Sequence, residues 1–156
     1  IENIFDLLHR LSGANGVIRQ TEFFLYSKRD RESVERCLAK GYRYPEITAW
    51  IRAVEQDLDL VLDMGLKETG ILTSVSDYHT FYRQKCSPAR IMEKYLATVR
   101  TALEKGITPR CHFEDITRAD IYGFCVPFAI ELMKLREESG IDIKIRLCDT
   151  LGFGGI

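Results

Sequence analysis

The chain repeats one pattern, in which an amphipathic helix ends at a glycine and an extended apolar segment follows. A glycine suits the left-handed backbone position that closes a helix, and such glycines stand at Gly41, Gly65, Gly106 and Gly140. Extended segments are predicted after them at 46–51, 69–75, 110–113 and 142–147, with a first strand within 16–26. Regular alternation of strand and helix predicts a parallel sheet with right-handed crossovers.

Two of the helices show clear start signals. Ser87 and Pro88 form a good N-cap and first-turn pair, and the apolar residues that follow recur at the spacing of one helix face. Pro127 lies inside the apolar pattern of the next helix, so it either bends that helix or marks its true start.

The chemistry of the predicted strands separates the two architectures that a parallel sheet allows. The central strands of an open doubly wound sheet are apolar on both faces. Here Arg110, His112 and Glu114 share one strand face, while Cys111 and Phe113 share the other. A (β/α)₈ barrel with a polar interior near its catalytic mouth fits this pattern best, so the predicted fold class is an α/β TIM barrel.

Composition excludes several classes of function. The chain has 22 Lys+Arg against 23 Asp+Glu, so it lacks the basic excess of a general nucleic-acid binder. It has no apolar run long enough to span a bilayer, and its first residues do not form a signal peptide. Five scattered cysteines without a C-x-x-C pair are typical of reduced thiols. We therefore expect a cytoplasmic protein without nucleic-acid or membrane partners.

The ends of three predicted strands are unusually polar, at 74–79, 112–118 and 148–152. In a barrel, working residues cluster at the carboxyl ends of the strands. Asp77, Asp115 and Asp149 could each be only a helix cap, but three such loops in register favour a site.

Arg110 is predicted to point inward, where an unpaired guanidinium is costly, so it needs a carboxylate partner. That partner is either Glu114 or a carboxylate of the substrate. His112 is either a general base or a hydrogen-bonded interior histidine. Trp50 and the Phe23–Phe24 pair are interpreted as core residues.

Sequences at the same loops resemble a known family. The segments Ser-Val-Ser-Asp-Tyr-His at 74–79, His-Phe-Glu-Asp-Ile-Thr-Arg at 112–118 and Asp-Thr-Leu-Gly at 149–152 are similar to those of the DRE-TIM metallolyases. This family includes homocitrate and isopropylmalate synthases, and the likeness is greatest to its Re-face-stereospecific citrate synthases. Segments 22–27 and 65–73 add to the resemblance, which covers essentially the whole chain.

The resemblance implies a metal-dependent acyltransferase that carries out a Claisen condensation of acetyl-CoA with a 2-oxo dicarboxylic acid. Oxaloacetate giving citrate is favoured, and 2-oxoglutarate giving homocitrate is the other possibility. It implies a divalent cation, Mn²⁺ or Mg²⁺, and a homodimer. By position in the motifs, the implied catalytic residues are His79, His112 and Glu114, and the implied substrate-binding residues are Ser74, Ser76, Asp77, Arg110 and Thr150.

Two motifs of the family are missing from residues 1–156, the Arg-Asp-Gly-x-Gln type motif of its first strand and the His-x-His pair of its seventh. We therefore expect this chain to supply no metal ligand and to form the central part of one TIM-barrel catalytic domain. The first strand and the last two would be missing. The alternatives are a carbon–carbon bond lyase of the same fold, similar to hydroxymethylglutaryl-CoA lyase, and a catalytically incomplete fragment.

Overall fold

Five parallel strands follow one another in sequence order across a single sheet. The computed structural model describes residues 1–154, and Gly155 and Ile156 lie outside the described residues. The strands are β1 Gln20–Phe23, β2 Glu46–Arg52, β3 Glu68–Ser74, β4 Thr108–Glu114 and β5 Lys144–Cys148. Each strand pairs in parallel with the next, so all carboxyl ends lie at the same edge of the sheet.

Helices connect the strands and cover one face of the sheet. They are α1 Glu2–Ser12, α2 Lys28–Leu38, α3 Asp57–Asp63, α4 Pro88–Glu104 and α5 Val126–Ser139. The predicted cap of α4 is confirmed, because the Ser87 hydroxyl accepts a hydrogen bond from the backbone N–H of Arg90. Pro127 marks the start of α5, where its missing N–H costs nothing, and a separate π-helical turn precedes it at Ile121–Cys125.

The glycines predicted to close helices all have a left-handed backbone. Their φ angles are 64° at Gly41, 66° at Gly65, 71° at Gly106 and 68° at Gly140. A side chain at these positions would strain the backbone, so glycine fixes where each helix stops and the chain turns towards the next strand.

The outer face of the sheet packs against the helices and forms the hydrophobic core. Ile71, Cys111 and Phe113 alternate with inward residues along β3 and β4, and all are buried. Phe113 stacks on Phe128 of α5 with ring centroids 5.1 Å apart. The helices therefore stay on this convex face, and the other face is left for polar side chains.

The sheet is strongly curled. In a flat sheet the two outermost of five strands would lie about 19 Å apart, too far for any pair of side chains to meet. Yet Arg146 of β5 donates a hydrogen bond to Glu22 of β1 over 2.8 Å. The five strands therefore form a half-barrel with a concave polar face, and the predicted partial (β/α)₈ barrel is confirmed.

The interpretation of Trp50 and Phe24 as core residues is wrong. Ala49 and Ile51 occupy the core side of β2, so the pleat turns Trp50 to the concave face, where it is half-buried. Its ring lies edge-on to that of His112, with centroids 6.5 Å apart. Phe24 follows the end of β1 and is 56% exposed.

Within residues 1–154, no helix is both long enough and apolar enough to cross a membrane. All five cysteines are free thiols, and burial raises the pKa of the Cys111 thiol to about 12. Cys111 is therefore an inert core residue at neutral pH.

Candidate functional site

A connected set of charged and polar side chains, here called the interior network, covers the concave face. Its members project inward from β1, β3, β4 and β5 and bond to one another across the curl. They are Gln20, Glu22, Glu68, Arg110, His112, Lys144 and Arg146.

Arg110 lies at the centre of the interior network and is only 3% exposed. Its Nη1 donates to Oε1 of Glu22 over 2.5 Å, and its Nη2 donates to Gln20 and to the carboxylate of Glu68. Of the two partners that the sequence left open, Glu114 is wrong, because the carboxylates that bond to Arg110 are those of Glu22 and Glu68. Residues 110 and 114 are about 13 Å apart along the strand, whereas the curl brings carboxylates from β1 and β3 into contact.

Glu22 and Glu68 are the acceptors of the interior network. Glu22 also accepts from Nε2 of His112 at 3.0 Å. Burial alone would raise its pKa, but the hydrogen bond from His112 and the charges of Arg146 and Arg110 outweigh burial and lower the pKa to about 2.

The pKa of Glu68 shifts in the same direction. Burial again opposes the shift, but hydrogen bonds from Lys144, Gln20 and Arg110 lower the pKa below its usual value. His112 apart, the interior network thus holds three cationic side chains against two ionised carboxylates. The concave face therefore favours an anionic ligand.

A second group, here called the carboxyl-end cluster, lies where β3 and β4 end. It comprises Ser74, Ser76, His79, Glu114 and Asp115. The hydroxyl of Ser74 donates to the Glu114 carboxylate, and that of Ser76 donates to Oδ2 of Asp115 over 2.6 Å. His79 lies between the two carboxylates, with Nδ1 3.4 Å from Glu114 and Nε2 3.8 Å from Asp115. A largely buried imidazole between carboxylates can accept and return a proton.

Asp115 holds the loop after β4 in place. Its backbone is left-handed, with φ 63°, and its side chain is fully buried. Hydrogen bonds from Arg118 lower the pKa of Asp115, burial opposes them, and Ser76 adds to the lowering. The backbone N–H of Asp115 donates to the hydroxyl of Thr150 over 2.8 Å, which ties the loop after β5 to the same cluster.

The structure brings together most of the residues that the sequence singled out. Arg110 and His112 lie in the interior network, and Thr150 contacts the carboxyl-end cluster. The other four, Ser74, Ser76, His79 and Glu114, are members of that cluster. Asp77 is different, because it is exposed and its side chain makes no capping hydrogen bond.

Sequence reasoning missed three participants, Gln20, Glu22 and Glu68. A signal for two of them was present, because Gln20 and Glu22 alternate in the first strand as Arg110 and His112 do in the fourth.

A cavity of about 310 Å³ opens beside the carboxyl-end cluster. Ser74, His79 and Glu114 contribute to its wall, together with the buried Tyr95. Cationic side chains also line it, including the exposed Arg83 and Lys94. The wall of the cavity therefore contains titratable groups, His79 and Glu114, together with positively charged side chains.

The described residues do not fit a metal ion by themselves. Among residues 1–154 no three His, Cys, Asp or Glu side chains come together in a way that could hold one. The acidic groups near the concave face are instead engaged by arginine, lysine, serine or histidine.

A half-barrel with a polar concave face and a residue cluster at the carboxyl ends of its strands defines the class, a partial (β/α)₈ barrel. The model of the HMGL-like family matches residues 10–155. The chain therefore belongs to the HMGL-like family of DRE-TIM domains, and the resemblance found at the loops is confirmed.

Curated relatives agree with this family. The chain is 64% identical to a citrate (Re)-synthase of Syntrophus aciditrophicus and 58% identical to one of Clostridium kluyveri, over 99% of its length in each case. It is 37% identical to a 2-phosphinomethylmalate synthase of Streptomyces hygroscopicus over 97% of its length. It covers only 24%, 34% and 35% of these three proteins, respectively. The chain thus spans about a quarter to a third of their length.

Proposed function

We propose that residues 1–156 are the central part of one TIM-barrel catalytic domain, and that the protein carrying them, here called the complete protein, condenses acetyl-CoA with a 2-oxo dicarboxylic acid. Oxaloacetate giving citrate is the favoured reaction, and 2-oxoglutarate giving homocitrate is the next. The observation that carries the proposal is the 64% identity to a citrate (Re)-synthase over 99% of the chain. On this proposal the complete protein is an acyltransferase.

The reaction needs a base, an electrophile and water. A base removes a proton from the methyl group of acetyl-CoA, and the resulting carbanion carbon bonds to the keto carbon of the 2-oxo acid. The π bond of that keto group breaks as the new bond forms, and its oxygen takes up a proton to become the hydroxyl group of the product. Water then adds to the thioester, and CoA leaves as the free thiol. The protein must therefore place a proton acceptor next to the acyl group and hold a dianion beside it.

Charge on the concave face supports a dianionic substrate. Lys144 and Arg146 are both partly exposed there, and the cations of the interior network exceed its carboxylates. On this proposal Arg110 acts mainly through the groups that it holds, because its guanidinium already bonds to three acceptors. His112 and Thr150 contact the 2-oxo acid.

The cavity beside the carboxyl-end cluster suits the acyl-CoA. Its wall contains His79 and Glu114, with Nδ1 of the imidazole 3.4 Å from the carboxylate, and the hydroxyl of Ser74 bonds to the same carboxylate. On this proposal His79 accepts the proton that the acetyl group loses, and Glu114 orients the imidazole of His79. Ser74 and Ser76 hold the carboxylates of Glu114 and Asp115 in place through hydrogen bonds. The exposed Asp77 remains available to contact a substrate.

The family resemblance implies a divalent cation, Mn²⁺ or Mg²⁺, which would act as a Lewis acid in the complete protein. Residues 1–154 hold no suitable set of three ligands, so its ligands would come from other parts of that protein. On this proposal residues 1–156 supply no ligand to the cation.

One observation favours a second candidate, a catalytically incomplete half-barrel. Within residues 1–154, β1 and β5 each pair on one side only, so the sheet keeps two open edges. Taken alone, residues 1–156 would then bind substrates weakly and turn over little.

A thiol-release assay tests the proposal. Acetyl-CoA, Mn²⁺ and a panel of 2-oxo acids are supplied to the complete protein and, in parallel, to residues 1–156 alone. We expect CoA release with oxaloacetate for the complete protein and little for residues 1–156. Absence of release from the complete protein with every 2-oxo acid would refute the proposal.

A further inference from the structure

Three side chains converge on one glycine of the concave face. Gly70 lies in β3 in register with Trp50 on one side and Arg110 on the other. A Cβ atom at Gly70 would lie 2.8 Å from Nε2 of His112, 2.9 Å from Oε1 of Glu22 and 3.0 Å from Cδ1 of Trp50. The φ angle of Gly70 is outside the left-handed region, so its backbone conformation does not require glycine. What the concave face requires at this position is the absence of a side chain.

The direction of the hydrogen bond between His112 and Glu22 follows from the other partners of Glu22. Its carboxylate accepts from the guanidinium of Arg110 at Oε1 and from that of Arg146 at Oε2. A carboxylate held by two guanidinium groups is ionised and can only accept hydrogen bonds. Nε2 of His112, at 3.0 Å from Oε1, must therefore carry the proton that it shares with Glu22.

The other ring nitrogen of His112 is open. Nδ1 forms no hydrogen bond with any group in residues 1–154. In that part of the chain every fully buried polar side-chain atom has a hydrogen-bond partner. Nδ1 is therefore reached by solvent, although the residue as a whole is only 6% exposed.

We propose that Glu22 is a positioning residue, which holds His112 with its proton on Nε2. Nδ1 is then the ring nitrogen that faces the substrates. Gly70, which has no side chain, leaves the space that His112 and Glu22 occupy. The inference rests on the proposed function, since it assumes that His112 acts on the 2-oxo acid. On this proposal Glu22 acts through His112, and its carboxylate accepts hydrogen bonds from Arg110, His112 and Arg146.

The protonated nitrogen can be read directly by ¹⁵N NMR of the complete protein labelled at histidine. Nε2 couples to both ring C–H protons and Nδ1 strongly to one, so the two signals are distinguishable, and a His112→Gln sample assigns them. We expect the N–H signal of His112 on Nε2 in the unmodified protein and in Glu68→Met. In Glu22→Met the proton should move to Nδ1 or exchange between the two nitrogens. A proton on Nδ1 in the unmodified protein would overturn the inference.

Kinetics provide the second readout, with Glu68→Met as the matched control. Both substitutions remove a carboxylate that bonds to Arg110, but only Glu22 also bonds to His112. We expect Glu22→Met to lower kcat by about tenfold or more, as for loss of a group that orients a functional histidine, and Glu68→Met to lower it less. Equal kcat values for the two variants would contradict the proposal.

Gly70→Ala covers the case in which Glu22→Met fails to fold. It removes no donor or acceptor, and its backbone is compatible with alanine, but its methyl group displaces Glu22 and His112. We expect the same fall in kcat and the same change in the Nε2 signal, and an unchanged signal with unchanged kcat would count against the proposal. If the unmodified protein releases no CoA with any 2-oxo acid, the proposed function fails, whereas the NMR result still decides the position of the proton.

Discussion

Replacing Arg110 with methionine should destabilise the centre of the sheet, because the carboxylates of Glu22 and Glu68 then lose the cation that both of them bond to. Arg110 is 3% exposed, and its guanidinium bonds to Glu22, Glu68 and Gln20. Breaking a buried ion pair by removing one partner costs about 3–5 kcal/mol. Glu22 keeps Arg146 and Glu68 keeps Lys144, so we expect the lower end, about 3 kcal/mol.

Hydrogen–deuterium exchange of the complete protein measures this cost locally. The amides of β4 lie in the middle of the sheet, between β3 and β5. A loss of about 3 kcal/mol corresponds to roughly a hundredfold faster exchange of those amides. Arg100→Met, at an exposed position of α4, is the control and should leave β4 unchanged. Acceleration below about fivefold, or less than 1 kcal/mol, would mean that Arg110 does not hold the concave face together.

Three further outcomes follow from the structure. Phe128→Ala removes a fully buried ring that stacks on Phe113, and should lower the free energy of unfolding in urea by about 3–5 kcal/mol. Ile130→Ala, at an exposed site of the same helix, should lower it by less than about 0.5 kcal/mol. Similar losses for the two variants would contradict the packing of Phe128 in the core. The pKa of Glu22 is about 2 in the folded protein and 4.5 ordinarily, so the ionised carboxylate stabilises the fold above pH 4.5 and this effect is lost as the pH falls towards 2. Between pH 4.5 and 2 the urea midpoint of Glu22→Met should therefore change less than that of the unmodified protein. Parallel curves of midpoint against pH would contradict this. Asp115→Ala should lower the free energy of unfolding in urea by about 1–2 kcal/mol more than Asp115→Asn, because asparagine tolerates the left-handed φ of 63° better than alanine does. Equal free energies of unfolding for the two variants would contradict this.

Local signals were sufficient to place β2 to β5 and the ends of the helices that precede them. The closing glycines, the Ser87 cap and the start of α5 near Pro127 each depend on a few neighbouring residues, and all are found where the sequence predicts them. The alternation of Arg110 and His112 with core residues likewise identified the concave face.

Partners within the interior network were beyond the reach of local signals. Arg110 and Glu22 are 88 positions apart, and Arg146 and Glu22 are 124 apart. These pairs form only because the sheet curls, and the degree of curl is set by the packing of all five strands together. Trp50 was misinterpreted for a related reason, since a large aromatic residue is usually buried in a core, but the small Ala49 and the branched Ile51 already fill that side of β2.

The most direct test of the proposed condensation is the identity of its product. The complete protein is supplied with acetyl-CoA labelled with ¹³C at the methyl carbon, with oxaloacetate and with Mn²⁺, and the products are followed by NMR. The proposal predicts citrate with the label in one methylene group, formed in step with free CoA. Labelled acetate released with CoA and no labelled citrate would show hydrolysis without carbon–carbon bond formation, and would contradict the proposal.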